Sequence, residues 1–143
     1  MTDRLNAYAP YLLSVLRIIT ALLFIAHGTG KYLGFPDTGK PMPSPLTLEG
    51  IAGLIEIIGG LLLLVGLYAR AAAFIMSGEM AVAYFTAHLP RDFFPILNQG
   101  ESAVLFCFVF LYLVFAGPGP WSIDEARAAG RTGQRQTQYA MNR

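Results

Sequence analysis

The sequence predicts an all-α integral membrane protein, a four-helix bundle with both termini in the cytoplasm. Of its 143 residues, 55% are hydrophobic and only 13% charged, about half the charged share of an ordinary soluble domain. Ser102–Ile123 contains no charge at all, and a helix that is apolar all round has no face to offer water. Three further apolar stretches come close to the roughly 20 residues needed to cross a hydrocarbon core about 30 Å thick. Connectors rich in proline and glycine divide them.

The first span is expected over residues 11–33. It carries Arg17, His27 and Lys31. Arg17 interrupts the run and the run is long for a signal-peptide core, so this helix is expected to be retained. The second covers 48–68 with one interior charge, Glu56, and the third covers 70–88 with one interior charge, Glu79. The fourth covers 101–117 and stops where Pro118 and Pro120 break it, with Trp121 suited to the water interface. These helices form one transmembrane domain over residues 1–123, and 124–143 reads as a polar cytoplasmic tail.

Orientation follows from the basic residues on each side. With four spans, Arg4, Arg70, Arg127, Arg131, Arg135 and Arg143 share one side, and Lys31, Lys40 and Arg91 share the other. The richer side faces the cytoplasm. A formal net charge of +1 gives no pull toward nucleic acid. The single cysteine, Cys107, excludes an internal disulfide, a CxxC redox pair and a four-thiolate metal site.

Charges inside a bilayer cost about 2.5–3.5 kcal/mol each on insertion scales, so they face the bundle interior and pair. Counting depth at 1.5 Å per residue brings Arg17 and Glu79 within reach of each other. This predicts a structural Arg17–Glu79 ion pair, with Glu56 as an alternative or second partner; one carboxylate is left unbalanced, and Glu56 is the one suited to carrying a proton. A second group gathers at the outer rim. His27 and Lys31 share a helix face; Glu49 and Glu101 open the second and fourth helices, where the helix dipole favours negative charge; His88 closes the third. Gly53 and Gly60, on the second helix with Glu49 and Glu56, would let a flat ligand or a neighbouring helix approach closely. Glu79 and His88 lie nine residues apart, half a turn out of phase in a straight helix. Two lone histidines without a haem-packing motif do not point to haem, and no metal site is assigned.

Two segments carry a resemblance. His27–Lys31 reads His-Gly-x-x-Lys, and Glu56–Arg70 reads Glu-x-x-Gly-Gly-x-Leu-Leu-x-x-Gly-Leu-x-x-Arg. With Glu79–Phe108 and Ala116–Asp124 they make the chain resemble the DoxX family of small bacterial membrane proteins. Its connector reads Asn98-Gln99-Gly100-Glu101 where an Asn-Gly-Gly-Glu run is expected. The resemblance implies a multi-pass inner-membrane bundle and redox physiology linked to oxidative, thiol or quinone stress.

The leading expectation is therefore a redox-associated inner-membrane subunit, an oxidoreductase or part of one, that binds a quinone or quinol. His27, Glu101 and Glu56 are expected to exchange protons; Lys31, Glu49, His88, Gly53 and Gly60 are expected to line the site. No covalent cofactor is expected. The partners are the lipid bilayer and either a soluble redox protein or further copies of the chain. Two alternatives stand beside it: a small-solute or proton carrier working as an oligomer, and a non-catalytic scaffold for a partner complex.

Overall fold

A computed structural model of the protein describes the chain over residues 2–141 and its side chains over 4–132. The described residues form helices and no strand. Helix α1 spans Thr2–Tyr32, α2 Leu48–Val65 and α3 Ala69–Ala83, the last continuing directly into a π-helical turn, Tyr84–His88. A short α4, Pro95–Asn98, leads into α5, Glu101–Ala116, and α6 covers Ile123–Met141. Two of these, α1 from Arg4 and α2, are long and apolar enough to cross a membrane; α5 is equally apolar but 16 residues long.

Each boundary has a local cause. Thr47 caps α2, its Oγ1 accepting from the Gly50 amide at 3.1 Å. Gly66 ends α2 at φ 69°, in the left-handed region that glycine enters without a Cβ clash. The start of α3 has no cap of its own, and Asp124 supplies one: its carboxylate accepts from the Tyr68 and Ala69 amides at 3.0 and 2.9 Å. The segment expected as a polar tail is helical, opened by the Ser122 hydroxyl accepting from the Glu125 amide. Arg135 and Arg143, two residues of the orientation count, lie outside the described side chains. Helix α1 starts well before the expected Tyr11 and passes through Pro10.

Along the chain α1 packs on α2, α2 on α3 and α3 on α5. The core is built from small residues and methionines, including Ala21, Ala69, Ala73, Met76 and Ala103, which bring backbones close together. Between α1 and α5 the gap is filled by rings: Phe24 lies 5.5 Å from Phe106 and 4.8 Å from Phe110, centroid to centroid. The outside is the reverse of a soluble surface. Leu12, Ile58, Phe74, Phe108 and Phe115 are each more than half exposed, an apolar coat far beyond the scattered patches of soluble monomers.

Arg17 corrects the expected ion pair. It is fully buried, and its guanidinium donates to the carbonyls of Leu63, Leu64, Pro118 and Trp121, not to Glu79. The depth arithmetic failed because α1 starts early, which sets Arg17 level with the end of α2. Glu79 lies nine residues past Arg70, about 13 Å deeper at the helical rise. The last carbonyls of a helix lack intrahelical donors, and a five-donor fork satisfies several of them at once. Arg70 does the same for α5, donating to Val114 and Phe115.

Candidate functional site

At the opposite end from Arg17 the helices splay around a cavity of about 770 Å³. Helix α1 contributes Phe24, His27 and Lys31; α2 contributes Glu49, Ala52 and Glu56; α3 and its π-helical turn contribute Glu79, Met80 and His88; α5 contributes Ser102, Ala103 and Phe106. Lys40, Arg91 and Gln99 come from the connectors at the mouth.

The two sequence segments singled out above meet here. Lys31, the end of the first, donates from Nζ to Glu56 Oε1, the start of the second, at 2.8 Å. Glu56 is almost wholly buried, while the Lys31 side chain keeps about a quarter of its exposure. The approach is set by Gly28 and Gly53. A Cβ on Gly28 would stand 2.6 Å from Ile57 and 2.9 Å from the Gly53 carbonyl. Tyr32 donates to the Gly50 carbonyl at 2.8 Å and locks the same seam.

Beyond that pair three carboxylate oxygens are unsatisfied. Glu56 Oε2 and both carboxylate oxygens of Glu79 are buried without a hydrogen-bond partner. Buried polar atoms are nearly always paired, so three orphaned acceptors lining one cavity mark a place where something else supplies donors. The two histidines are fixed from behind. His27 Nδ1 lies 2.9 Å from the Leu23 carbonyl and His88 Nδ1 lies 3.0 Å from the Asn98 carbonyl. A carbonyl only accepts, so each Nδ1 carries a proton and the ring is held by that bond. Asn98, buried and donating to the Asp92 carbonyl at 2.8 Å, holds the loop that positions His88.

The half-turn conflict between Glu79 and His88 is resolved by the π-helical turn. Its wider i→i+5 bonding, seen in Leu89 donating to Tyr84 at 2.9 Å, turns the chain less per residue than an α-helix does. His88 thereby joins Glu79 at the same cavity. Gln99 stands where glycine was expected and takes φ 58°.

Several expected site residues fall elsewhere. Glu101 is exposed in the first turn of α5 and stays outside the cavity lining, which takes its neighbour Ser102 instead. Gly53 and Gly60 do not face the cavity. A Cβ on them would meet Tyr32 at 2.8 Å and Ile25 at 2.6 Å, so both belong to the α1–α2 seam. Glu79, expected as half of an ion pair, belongs to the cavity. The part of Phe24 in the ring wall, the place of Lys40 in the lining and the Lys31–Glu56 bond were not anticipated. Among the described residues no group of three or more His, Cys, Asp or Glu side chains is placed to hold a metal ion.

The family model named DoxX matches residues 12–89, more than half of the chain. The chain belongs to the DoxX family. The matched segment holds Arg17, His27, Lys31, Glu56, Glu79 and His88, so three of the four cavity walls lie within it. An uncharacterized protein of Haemophilus influenzae is 46% identical over 129 residues, covering 85% of this chain and 95% of that one. The inner membrane protein YqjF of Escherichia coli is 31% identical over 119 residues, covering 77% and 87%. A Bacillus subtilis protein named as a candidate oxidoreductase, CatD, is 27% identical over 113 residues, covering 77% and 82%. No solved structure matches the chain. With its apolar coat and membrane-named relatives, this DoxX protein is a membrane protein.

Proposed function

We propose that this DoxX protein is a multi-pass inner-membrane subunit that binds a quinone or quinol head group in the cavity and works in a redox reaction with a partner. The four-span topology rests on α1, α2, α3 with its π-helical turn, and α5 lying side by side, and on the basic excess at the Arg70 side. The observation that carries the ligand is the composition of the cavity. Apolar and aromatic walls from Phe24, Met80 and Phe106 enclose orphaned carboxylate oxygens of Glu56 and Glu79. Its volume lies within the range of small-molecule sites, which pair apolar walls with a few polar groups that fix orientation.

In this reading Lys31 holds Glu56 in place, and Glu79 with His27 and His88 receives protons from the head group. Electrons then pass between the head group and a separate redox carrier, a soluble partner or an associated subunit. The oxidoreductase name of the Bacillus subtilis relative supports the redox assignment; the stress link rests on the family resemblance alone.

Photoaffinity labelling with a short-chain azidoquinone in nanodiscs tests the reading. Labelled peptides are expected from α1 and α5 around Phe24 and Phe106, with labelling competed by unlabelled quinone. Ala52→Trp, which fills the cavity from α2, is expected to abolish it. Labelling spread over lipid-facing residues such as Leu12 and Phe108, and insensitive to Ala52→Trp, would overturn the assignment.

A further inference from the structure

The helices around the cavity meet along four seams, and three of them are closed. Between α1 and α2, Tyr32 donates to the Gly50 carbonyl at 2.8 Å. Between α3 and α5, Ser77 donates to the Cys107 carbonyl at 2.9 Å, and a Cβ on Gly100 would stand 2.8 Å from the Tyr84 ring. Between α1 and α5, the rings of Phe24 and Phe106 fill the space with centroids 5.5 Å apart. The fourth seam differs. Helices α2 and α3 meet at Gly59, where a Cβ would stand 2.9 Å from the Met76 sulfur, and toward the connectors the cavity separates them.

The edges of that gap are apolar. Leu48 and Ile51 on α2, and Ile75 and Val82 on α3, line the cavity, and each is between 46% and 69% exposed. Both edges run on into the apolar coat. Ile58 lies two turns past Ile51 on the same stripe, Phe74 adjoins Ile75, and both are more than half exposed. Cavity wall and coat are one continuous surface here. The mouth between the connectors is the reverse, carrying Lys40, Glu49 and Arg91.

We infer that the ligand enters and leaves through the gap between α2 and α3, and that its hydrocarbon tail stays among the lipid chains while its head group occupies the cavity. The inference rests on the quinone reading above and deepens it, assigning the ligand to tailed, lipid-borne quinones and not to water-soluble ones. A tail leaving by the charged mouth would expose its methylenes to water, which is unfavourable for each of them. A tail leaving between α2 and α3 stays in hydrocarbon throughout.

The test is photolabelling of the full-length protein in nanodiscs with a decyl-benzoquinone that carries a diazirine near the ring end of its tail. Tail-less tetramethyl-benzoquinone is the competitor, since label that it displaces belongs to a head group in the cavity. Displaceable label is expected on Leu48, Ile51, Ile75 and Val82. Displaceable label on the connectors around Lys40 and Arg91, or on outer faces of α1 and α5 such as Leu23 and Leu105, overturns the inference and leaves the quinone reading standing. Absence of displaceable label overturns the quinone reading itself. Ile51→Trp/Val82→Trp fills the gap from both edges, at side chains that are already about half exposed. It is expected to weaken the decyl-tailed quinone at least about tenfold, the equivalent of two methylenes forced out of hydrocarbon, and to leave tetramethyl-benzoquinone within about twofold of wild type. Unchanged affinity for the tailed quinone overturns the inference. The label positions in the wild type decide the route even if the variant does not fold.

Discussion

Lys31→Met removes the one partner that the structure gives the Glu56 carboxylate. At 2.8 Å the gross Coulomb attraction is about 6 kcal/mol at an effective dielectric constant near 20. Desolvation of both ions cancels most of it, so the intact pair adds little net stability. Removing only the lysine is different: Glu56 is left buried and uncompensated, which typically costs about 3–5 kcal/mol. Lys31 keeps some exposure, so water screens part of the interaction and the lower end, about 3 kcal/mol, is expected. The double variant Lys31→Met/Glu56→Met removes both charges and should recover to within about 1 kcal/mol of wild type, because apolar replacement of a buried pair is often neutral. Unfolding in mixed micelles, followed by the fluorescence of the single tryptophan, Trp121, gives the free energies. The reasoning is refuted if Lys31→Met is as stable as wild type, or if the double variant is no better than the single one.

Three further outcomes are expected in the same unfolding assay. Arg17→Lys should cost about 3 kcal/mol: a compact ammonium cannot span the four carbonyls that the guanidinium reaches, and bonds from charged donors contribute about 1.5–3 kcal/mol each. An unchanged midpoint would show that those carbonyls are satisfied some other way. Asp124→Ala should cost about 1 kcal/mol by stripping the cap from α3, with Asp124→Asn retaining part of it. Gln99→Gly should gain about 1 kcal/mol by relieving a left-handed backbone of its Cβ; a loss would mean that the Gln99 side chain contributes more at the mouth than its backbone costs.

The apolar helices were legible in the sequence because hydrophobic length and proline punctuation act locally. So was the gathering of His27, Lys31, Glu49 and His88 at one end, since topology alone places them at the outer rim; Glu101, placed there with them, stays outside the cavity lining. Pairing was not legible. Residue counting gives depth along one helix, and an error in where α1 begins set Arg17 deep enough to reach Glu79 when it lies level with the end of α2. Sequence spacing also could not show that Gly53 serves the α1–α2 seam and not the cavity, because both uses require a missing side chain. The π-helical turn was hidden for a related reason: nothing in Tyr-Phe-Thr-Ala-His distinguishes five-residue bonding from an ordinary turn. That Arg17 finds its acceptors among backbone carbonyls and not among the acidic residues could have been found by asking which helix ends lacked partners.

The ring cluster of Phe24, Phe106 and Phe110 does more than fill the space between α1 and α5. With Leu63 and Met76, both fully buried, it closes the floor of the cavity, and below it Arg17 and Arg70 tie the helix ends together. The α2 and α3 walls of the chamber are different: Leu48, Ile51, Ile75 and Val82 line it and are also exposed on the apolar coat. A greasy visitor dissolved in the surrounding lipid therefore meets the chamber wall without first crossing water. Its supply then follows its concentration in the bilayer and not in the aqueous phase.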